Sequence, residues 1–261
     1  MDANTLLFRC SSLGYLMTDP KSKSETLSET TKTHLVDVFV SNKYKRYEET
    51  YSKFFEKGND TEEESITTVS LVTGKFFKKN EQHLSNEYIM GTPDLYEGES
   101  ILKAETIHDT KSSWSVYTFM RNKSKKLDPK YYWQMHGYMT LSGAKNAYIR
   151  HCLNNTPYHL VMREINKLQY DYPDGKVPFV DELQVICNHV YDRKTLDEYI
   201  QKRGLFSNSK TYDSIYESFV EIPLKERHFA FHVERNDNDI DRLYERIKEC
   251  RKWISENLLK S

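Results

Sequence analysis

The sequence predicts an α/β (α+β) fold, a central mixed β-sheet flanked by helices. Three observations carry this reading. Helical periodicity dominates the first part of the chain, up to Gly74. Two strand-like runs, NEYIMGTPDLY and ILKAETIHDTKSS, then meet around the turn signal EGES. Last, a helix, a β-rich run, a late strand and a closing amphipathic helix follow.

Taken in order, residues 5–17 read as a short helix with one apolar side. The polar stretch DPKSKSETLSETTKT (19–33) reads as a surface loop running into a helix at Thr33. Helical periodicity continues through LVDVFVSNKYKRYEETYSKFFEK, and Gly58 is expected to interrupt it. EEESITTVSLVTG is a further helix that stops at Gly74. The next two runs place Asp94 and Asp109 on adjacent strands of one hairpin. DPKYYWQMHGYMTLSGA is a helix, with Pro129 near its start and Gly143 near its end. NAYIRHCLNN is β-rich. Residues 157–222 are mixed, with helical stretches around YPDGKVP. HFAFHVE is a strand, and 237–259 forms the closing helix.

The 261 residues suit one large domain, 1–261, or a domain with an elaboration. Charged residues make up 30% of the chain, yet the net charge is −1, which argues against a tail-type polycation binder. Cys10, Cys152, Cys187 and Cys250 are too widely spaced for structural zinc or an iron–sulfur cluster and read as reduced thiols. No run approaches the ~20 apolar residues that span a bilayer. The N-terminus lacks a basic leader region, so the expectation is a cytoplasmic protein with no membrane partner.

The chemistry gathers on a few residues. Asp94, in GTPD, is followed fifteen residues later by Asp109-Thr110-Lys111. Carboxylates on neighbouring strands offer hard oxygen ligands, which suit Mg²⁺ or Mn²⁺. Such an ion polarises a phosphate and activates water. Lys111, two residues beyond Asp109 on a strand, points to the same face. There it can hold water or offset phosphate charge. Thr110 faces away, leaving its carbonyl as a ligand. Gln134 and Tyr138 share one helix face. The acidic run Glu62-Glu63-Glu64 suits a helix start and offers a further ligand. For nucleic-acid contact the cations at hand are Lys75, Lys78 and Lys79, and then Arg121, Lys123, Lys125 and Lys126. A solvated loop is the alternative reading of the second group. Trp114, Tyr117 and Phe119 read as core before base-stacking residues.

These motifs resemble the PD-(D/E)xK nucleases, in particular the lambda exonuclease and YqaJ family of viral recombination exonucleases. That family's Gly-x-x-x-Glu-x-x-small reads Gly58-Asn-Asp-Thr-Glu62-Glu-Glu-Ser65 here. Its Ser/Thr-Pro-Asp reads Thr92-Pro93-Asp94, and its Glu/Asp-x-Lys reads Asp109-Thr110-Lys111. Its Gln-x-x-x-Tyr reads Gln134-Met-His-Gly-Tyr138. Arg9-Cys10-Ser11-Ser12 and HFAFHVERNDNDIDRLYERI resemble its two ends. The resemblance implies a restriction-endonuclease-like core. It implies one or two Mg²⁺ or Mn²⁺ ions on Glu62, Asp94, Asp109 and the Thr110 carbonyl. Lys111 would position the attacking water, and Gln134 and Tyr138 would order the site. Ser11, Ser12 and Ser112 or Ser113 would touch DNA phosphates. The toroidal members place an arginine before the Ser motif to hold a 5′-phosphate. Asn4 falls there in this chain, and Arg9 lies closer to the motif.

The expectation is therefore a metal-dependent exonuclease on linear duplex DNA, serving phage-type recombination or end resection in a bacterial or phage-infected cell. Its implied partners are a single-strand annealing protein and further copies of itself, as a ring trimer. A structure-specific or defence endonuclease of the same fold and an inert DNA-binding module are the alternatives.

Overall fold

A computed structural model describes residues 1–48, 52–77, 79–205 and 209–260. The chain opens with a 3-10 turn (Ala3–Thr5), strand β1 (Phe8–Arg9), a second 3-10 turn (Cys10–Ser12) and a short helix, α1 (Leu13–Leu16). The single helix expected over 5–17 is thus broken by a strand. Phe8 and Arg9 pair in parallel with Ile89 and Met90, and this tertiary pairing overrides weak local propensity.

Helix α2 (Glu29–Tyr44) starts earlier than Thr33 because the Ser28 hydroxyl accepts from the Thr31 amide at 3.0 Å and caps it. It ends at Lys45, whose backbone is left-handed (φ 54°). Residues 49–51 of the expected helical run lie outside the described residues. Helix α3 (Lys53–Asp60) passes straight through Gly58, so the expected interruption does not occur there. A lone helical glycine costs roughly 1 kcal/mol against alanine, too little to stop a helix. Helix α4 (Glu62–Thr73) follows and stops at Gly74, as expected.

Strands β2 (Leu84–Ser85), β3 (Ile89–Gly91) and β4 (Leu95–Gly98) come next, then β5 (Ala104–Ser112). The run expected as one strand up to Tyr96 divides at Thr92-Pro93-Asp94, where proline offers no amide to a ladder. Helices α5 (Val116–Lys123) and α6 (Pro129–Ser142) precede β6 (Asn146–Cys152). Asp128 caps α6, Pro129 is its first residue, and Gly143 (φ 81°) ends it. The region expected as mixed is helical: α7 (Tyr158–Leu168), α8 (Phe179–His189), α9 (Arg193–Arg203) and α10 (Lys210–Glu217). Strand β7 (His228–Glu234) and helix α11 (Asp237–Ile254), capped by Asn236, close the chain.

The strands form two sheets, ordered β1-β3-β2 and β4-β5-β6-β7. Both are mixed: β5 and β6 run parallel, while β4 and β7 flank them antiparallel. Side chains alternate along β5. Asp109 faces α6, where Gln134 meets it; Ser112 faces the start of α4, where Thr61 meets it. Strand β5 is therefore clamped between two helical layers. The main core joins the sheets to α6 and α11, through residues such as Ile107, Ile149, Met135, Met139, Leu243 and Ile247, all fully buried. Helices α7–α10 carry a second core around Val161, Leu183, Ile186 and Leu196. The four cysteines are free thiols. No helix among the described residues is long and apolar enough to cross a membrane.

Candidate active site

Two elements bring Asp94 and Asp109 together. The pairing of Leu95 with His108 sets the preceding residue, Asp94, beside Asp109. Thr110 fixes Asp94: its amide and its hydroxyl both donate to Oδ2, at 2.7 and 2.9 Å. Thr110 does lie on the other side of the strand from Asp109 and Lys111, yet its side chain still serves the site. Asn80 supports the same corner from outside, donating its amide to the Asp94 carbonyl (2.7 Å) and its side chain to the Pro93 carbonyl (2.9 Å).

Asp109 is 2% exposed. The Gln134 amide donates to Asp109 Oδ1 at 2.9 Å and to the Tyr138 hydroxyl at 3.2 Å. One NH₂ group thus ties Asp109 to the next turn of α6. The Lys111 ammonium pairs with Asp109 Oδ2. Glycines let the layers close around this group. A Cβ at Gly137 would stand 2.6 Å from Leu13 Cδ1 and 2.8 Å from Cys10 Sγ.

The electrostatics are those of a crowded, dry acid pair. Burial, and then the charge of Asp109, push the Asp94 carboxyl up to about 7; Lys111 and the Thr110 hydrogen bonds only partly offset this. Burial opposes the charge of Lys111, but Asp109 and Asp94 outweigh it and its pKa is raised. Lys111 is therefore an ammonium at neutral pH. Burial and the negative charge of Asp109 also push the Tyr138 phenol up, keeping it neutral. The acid pair carries more negative charge than Lys111 cancels, and its donors are all oxygen. That is the environment a hard divalent cation fits.

Glu62 opens α4. Its carboxylate pairs with Lys79 at 2.7 Å, one residue from Asn80. Among the described residues, Glu62, Asp94 and Asp109 form no grouping of metal-ligating atoms within 4.8 Å of one another. The grouping that does is Glu56, Asp60 and His159, a surface cluster in which Arg163 also binds Glu56.

The nucleic-acid candidates divide. Ser11 is exposed and Ser12 half-buried, its hydroxyl turned to the Arg9 carbonyl. Ser112 is bonded to Thr61, and Ser113 is buried. Arg121, Lys123, Lys125 and Lys126 are exposed along the end of α5 and the loop into α6. Lys75 and Lys79 pair with Glu97 and Glu62, and Lys78 lies outside the described residues. Trp114 and Phe119 are core, while Tyr117 is exposed.

Sequence reasoning missed three neighbours. The Tyr131 ring lies 5.3 Å from the Lys111 ammonium. It stands one helical turn before Gln134, and that spacing was a usable signal. His151 pairs in register with Lys111 and stacks on Phe229. Burial, then the nearby Lys111, push its pKa down to about 4, so it is a neutral imidazole. Lys57 is fully buried and donates to the Trp114 carbonyl at 3.1 Å, anchoring the segment that leaves β5. A parallel register and a buried helix face leave no pattern in one sequence.

No family model matches the chain, and no curated protein matches it. Its fold is similar to solved structures. A phage-related exonuclease from Haemophilus somnus 129PT matches over 98% of this chain and 96% of that one, with TM-score 0.69 and 23% identity. The alkaline exonuclease LHK-Exo from Laribacter hongkongensis matches over 99% and 96%, with TM-score 0.55 and 12% identity. Its complex with dAMP matches with TM-score 0.56 and the same identity. At these identities the likeness establishes a shared fold along nearly the whole chain.

Proposed function

We propose that this protein is a DNA exonuclease that hydrolyses phosphodiester bonds of linear duplex DNA and depends on Mg²⁺ or Mn²⁺. The observation that carries the reading is the pair of buried Asp109 and half-buried Asp94, with Lys111 held against Asp109 and Gln134 clamping it. The likeness in fold to solved exonucleases supports it.

Asp94 and Asp109, with the Thr110 carbonyl, are the residues that would hold the ion, which supplies Lewis acidity at the phosphate and at the attacking water. Glu62, paired with Lys79, would serve as a further ligand to a second ion. Lys111, charged at neutral pH, donates to the water and orients it, and offsets charge growing on the phosphate. Gln134 and Tyr138 keep Asp109 in place. Neutral His151 and the Tyr131 ring confine the lysine side chain.

The chain acts as one nuclease domain, 1–261, with the helices of 157–222 as an elaboration. Its setting is phage-type recombination or end resection in the cytoplasm, beside a single-strand annealing protein, with three copies in a ring. These assignments rest on the motif series.

The test compares wild type with Lys111→Ala on end-labelled linear duplex and on closed circular DNA, with magnesium and then with EDTA. Magnesium-dependent loss of the linear substrate alone, abolished by the substitution, is the expected result. Nicking of the circle would move the protein to the endonuclease reading. DNA bound but uncut in every arm would move it to the inert binding module.

A further inference from the structure

The corner that carries Asp94 is not held by a regular ladder. Strands β2 and β3 pair antiparallel, Ser85 with Met90 and Leu84 with Gly91. Carried further, that ladder would run along Thr92-Pro93-Asp94, but proline has no amide to give it. Side chains take over there. The His83 ring bonds the Thr92 hydroxyl at 3.0 Å. Asn80 makes the last two contacts. Its side-chain NH₂ donates to the Pro93 carbonyl at 2.9 Å, and its main-chain amide donates to the Asp94 carbonyl at 2.7 Å.

Asn80 is itself fixed. It is 6% exposed. The same NH₂ donates to the Gln82 carbonyl at 3.1 Å, and the side-chain oxygen accepts from the Gln82 amide at 3.3 Å. A carboxamide is the group that offers donors and an acceptor together for this. The residue before it, Lys79, pairs with Glu62, so one short segment ties α4 to the Asp94 corner.

Asp94 is thus held at both ends. Asn80 holds its main chain. Thr110 holds its carboxylate, and both of those bonds fall on Oδ2. Oδ1 accepts no hydrogen bond among the described residues and is left for an ion. A ligand kept in place by partners behind it binds a cation more tightly than one that must first be ordered.

We propose that Asn80 is a positioning residue for the ion. By holding the Pro93 and Asp94 carbonyls it sets the Asp94 carboxylate for the cation without touching the cation itself. This rests on the nuclease reading, which puts the ion on Asp94. The competing role is a turn that only shapes the loop and matters to folding alone.

The test titrates Mn²⁺ into the full chain, first stripped with EDTA and dialysed, and reads the free ion by electron paramagnetic resonance. No DNA is present. Wild type is compared with Asn80→Ala, Asn80→Ser, Asp94→Asn and Leu183→Ala, and melting temperature checks that each variant folds. Asn80→Ala removes every side-chain contact. Asn80→Ser keeps an acceptor for the Gln82 amide but is too short to reach the Pro93 carbonyl. Both should bind Mn²⁺ about 10–100-fold more weakly, the usual effect of removing a partner that orients a ligand. Asp94→Asn should weaken binding at least as much. Leu183→Ala, in the core of α7–α10, should bind as wild type does even where its melting temperature falls as far. Turnover of the p-nitrophenyl ester of thymidine 5′-phosphate should need correspondingly more Mn²⁺ in both Asn80 variants and approach the wild-type rate at saturation. Wild-type affinity in both Asn80 variants, beside weak binding in Asp94→Asn, would overturn the proposal and leave the nuclease reading standing. Wild-type affinity in Asn80→Ser alone would overturn it too, because the turn by itself would then suffice. Wild type that binds no Mn²⁺, or Asp94→Asn that binds as wild type does, would overturn the nuclease reading and the proposal with it.

Discussion

Lys57 has no exposed surface, and among the described residues its amine donates to the Trp114 carbonyl. Burial pushes its pKa down to about 7, although Glu64 pulls it back upward. Between that value and the ordinary lysine value of 10.5, the unfolded chain holds a proton that the folded chain has released. Stability must therefore rise with pH across this window, by up to about 1.4 kcal/mol per unit for this one group. Below about pH 7 both states are protonated, and the fold bears the full cost of a buried ammonium. Lys57→Met removes the dependence. The melting temperature of wild type minus that of the variant should increase from pH 7 to pH 10. A difference that stays flat over that range would mean the amine keeps its charge in the fold. The shared faces of Asp109 with Lys111 and of Gln134 with Tyr138 were legible in the sequence because each is a short spacing on one strand or one helix, and the expected hairpin set Asp94 beside Asp109. Lys57, Tyr131 and His151 act across elements, and only packing brings them to the site.

Among the elements, the long helices were the easiest to read, since caps such as Asp128-Pro129 and glycines such as Gly143 mark their ends locally. The N-terminal strand was not readable. Phe8 and Arg9 become a strand only because Ile89 and Met90 lie alongside, some eighty positions away in sequence. The contact of α1 with α6 is equally nonlocal, and it fixes the helix that carries Tyr131, Gln134 and Tyr138. A Cβ at Gly14 would overlap the Lys130 main chain, which cannot swing aside as a side chain tip would. Gly14→Ala should therefore push α6 away at its N-terminal end. Overpacking of this kind costs about 1–3 kcal/mol. A displacement near 1 Å at Gln134 should lower turnover of the nitrophenyl ester by roughly 100-fold. Gly58→Ala is the matched control, because nothing lies within 4 Å of the added carbon. It should raise stability slightly and leave turnover unchanged. Equal behaviour of the two variants would show that the α1–α6 contact does not position the site.

At the scale of the whole molecule, two large cores share one chain, with two smaller apolar clusters beside them among the described residues. Asp94, Asp109, Lys111, Gln134 and Tyr138 all belong to elements of the first, while α7–α10 bury a separate set around Leu183. The cores meet through polar contacts and through a small apolar cluster in which Tyr191 packs with Phe119 and Leu153. Asn155 accepts from the Tyr191 amide and donates to Asp192 and Thr195. Arg227 reaches the Tyr191 carbonyl and Asp192, and Lys53 pairs with Glu164. The sequence of 157–222 reads as mixed and does not tell that it forms a separate helical core, because its breaks at Pro and Gly read the same in either case. Polar junctions of this kind allow one unit to open before the other. Leu183→Ala empties a fully buried position of the second core and should cost about 2–5 kcal/mol there. Hydrogen exchange should then show α8 and α9 losing protection while β5 and α6 keep theirs, and the nitrophenyl ester should still be turned over. Loss of protection in β5 to the same degree would mean that the junction at Asn155 and Arg227 transmits the whole destabilisation. The two cores would then unfold as one, and the helices would be part of what holds β5 in place.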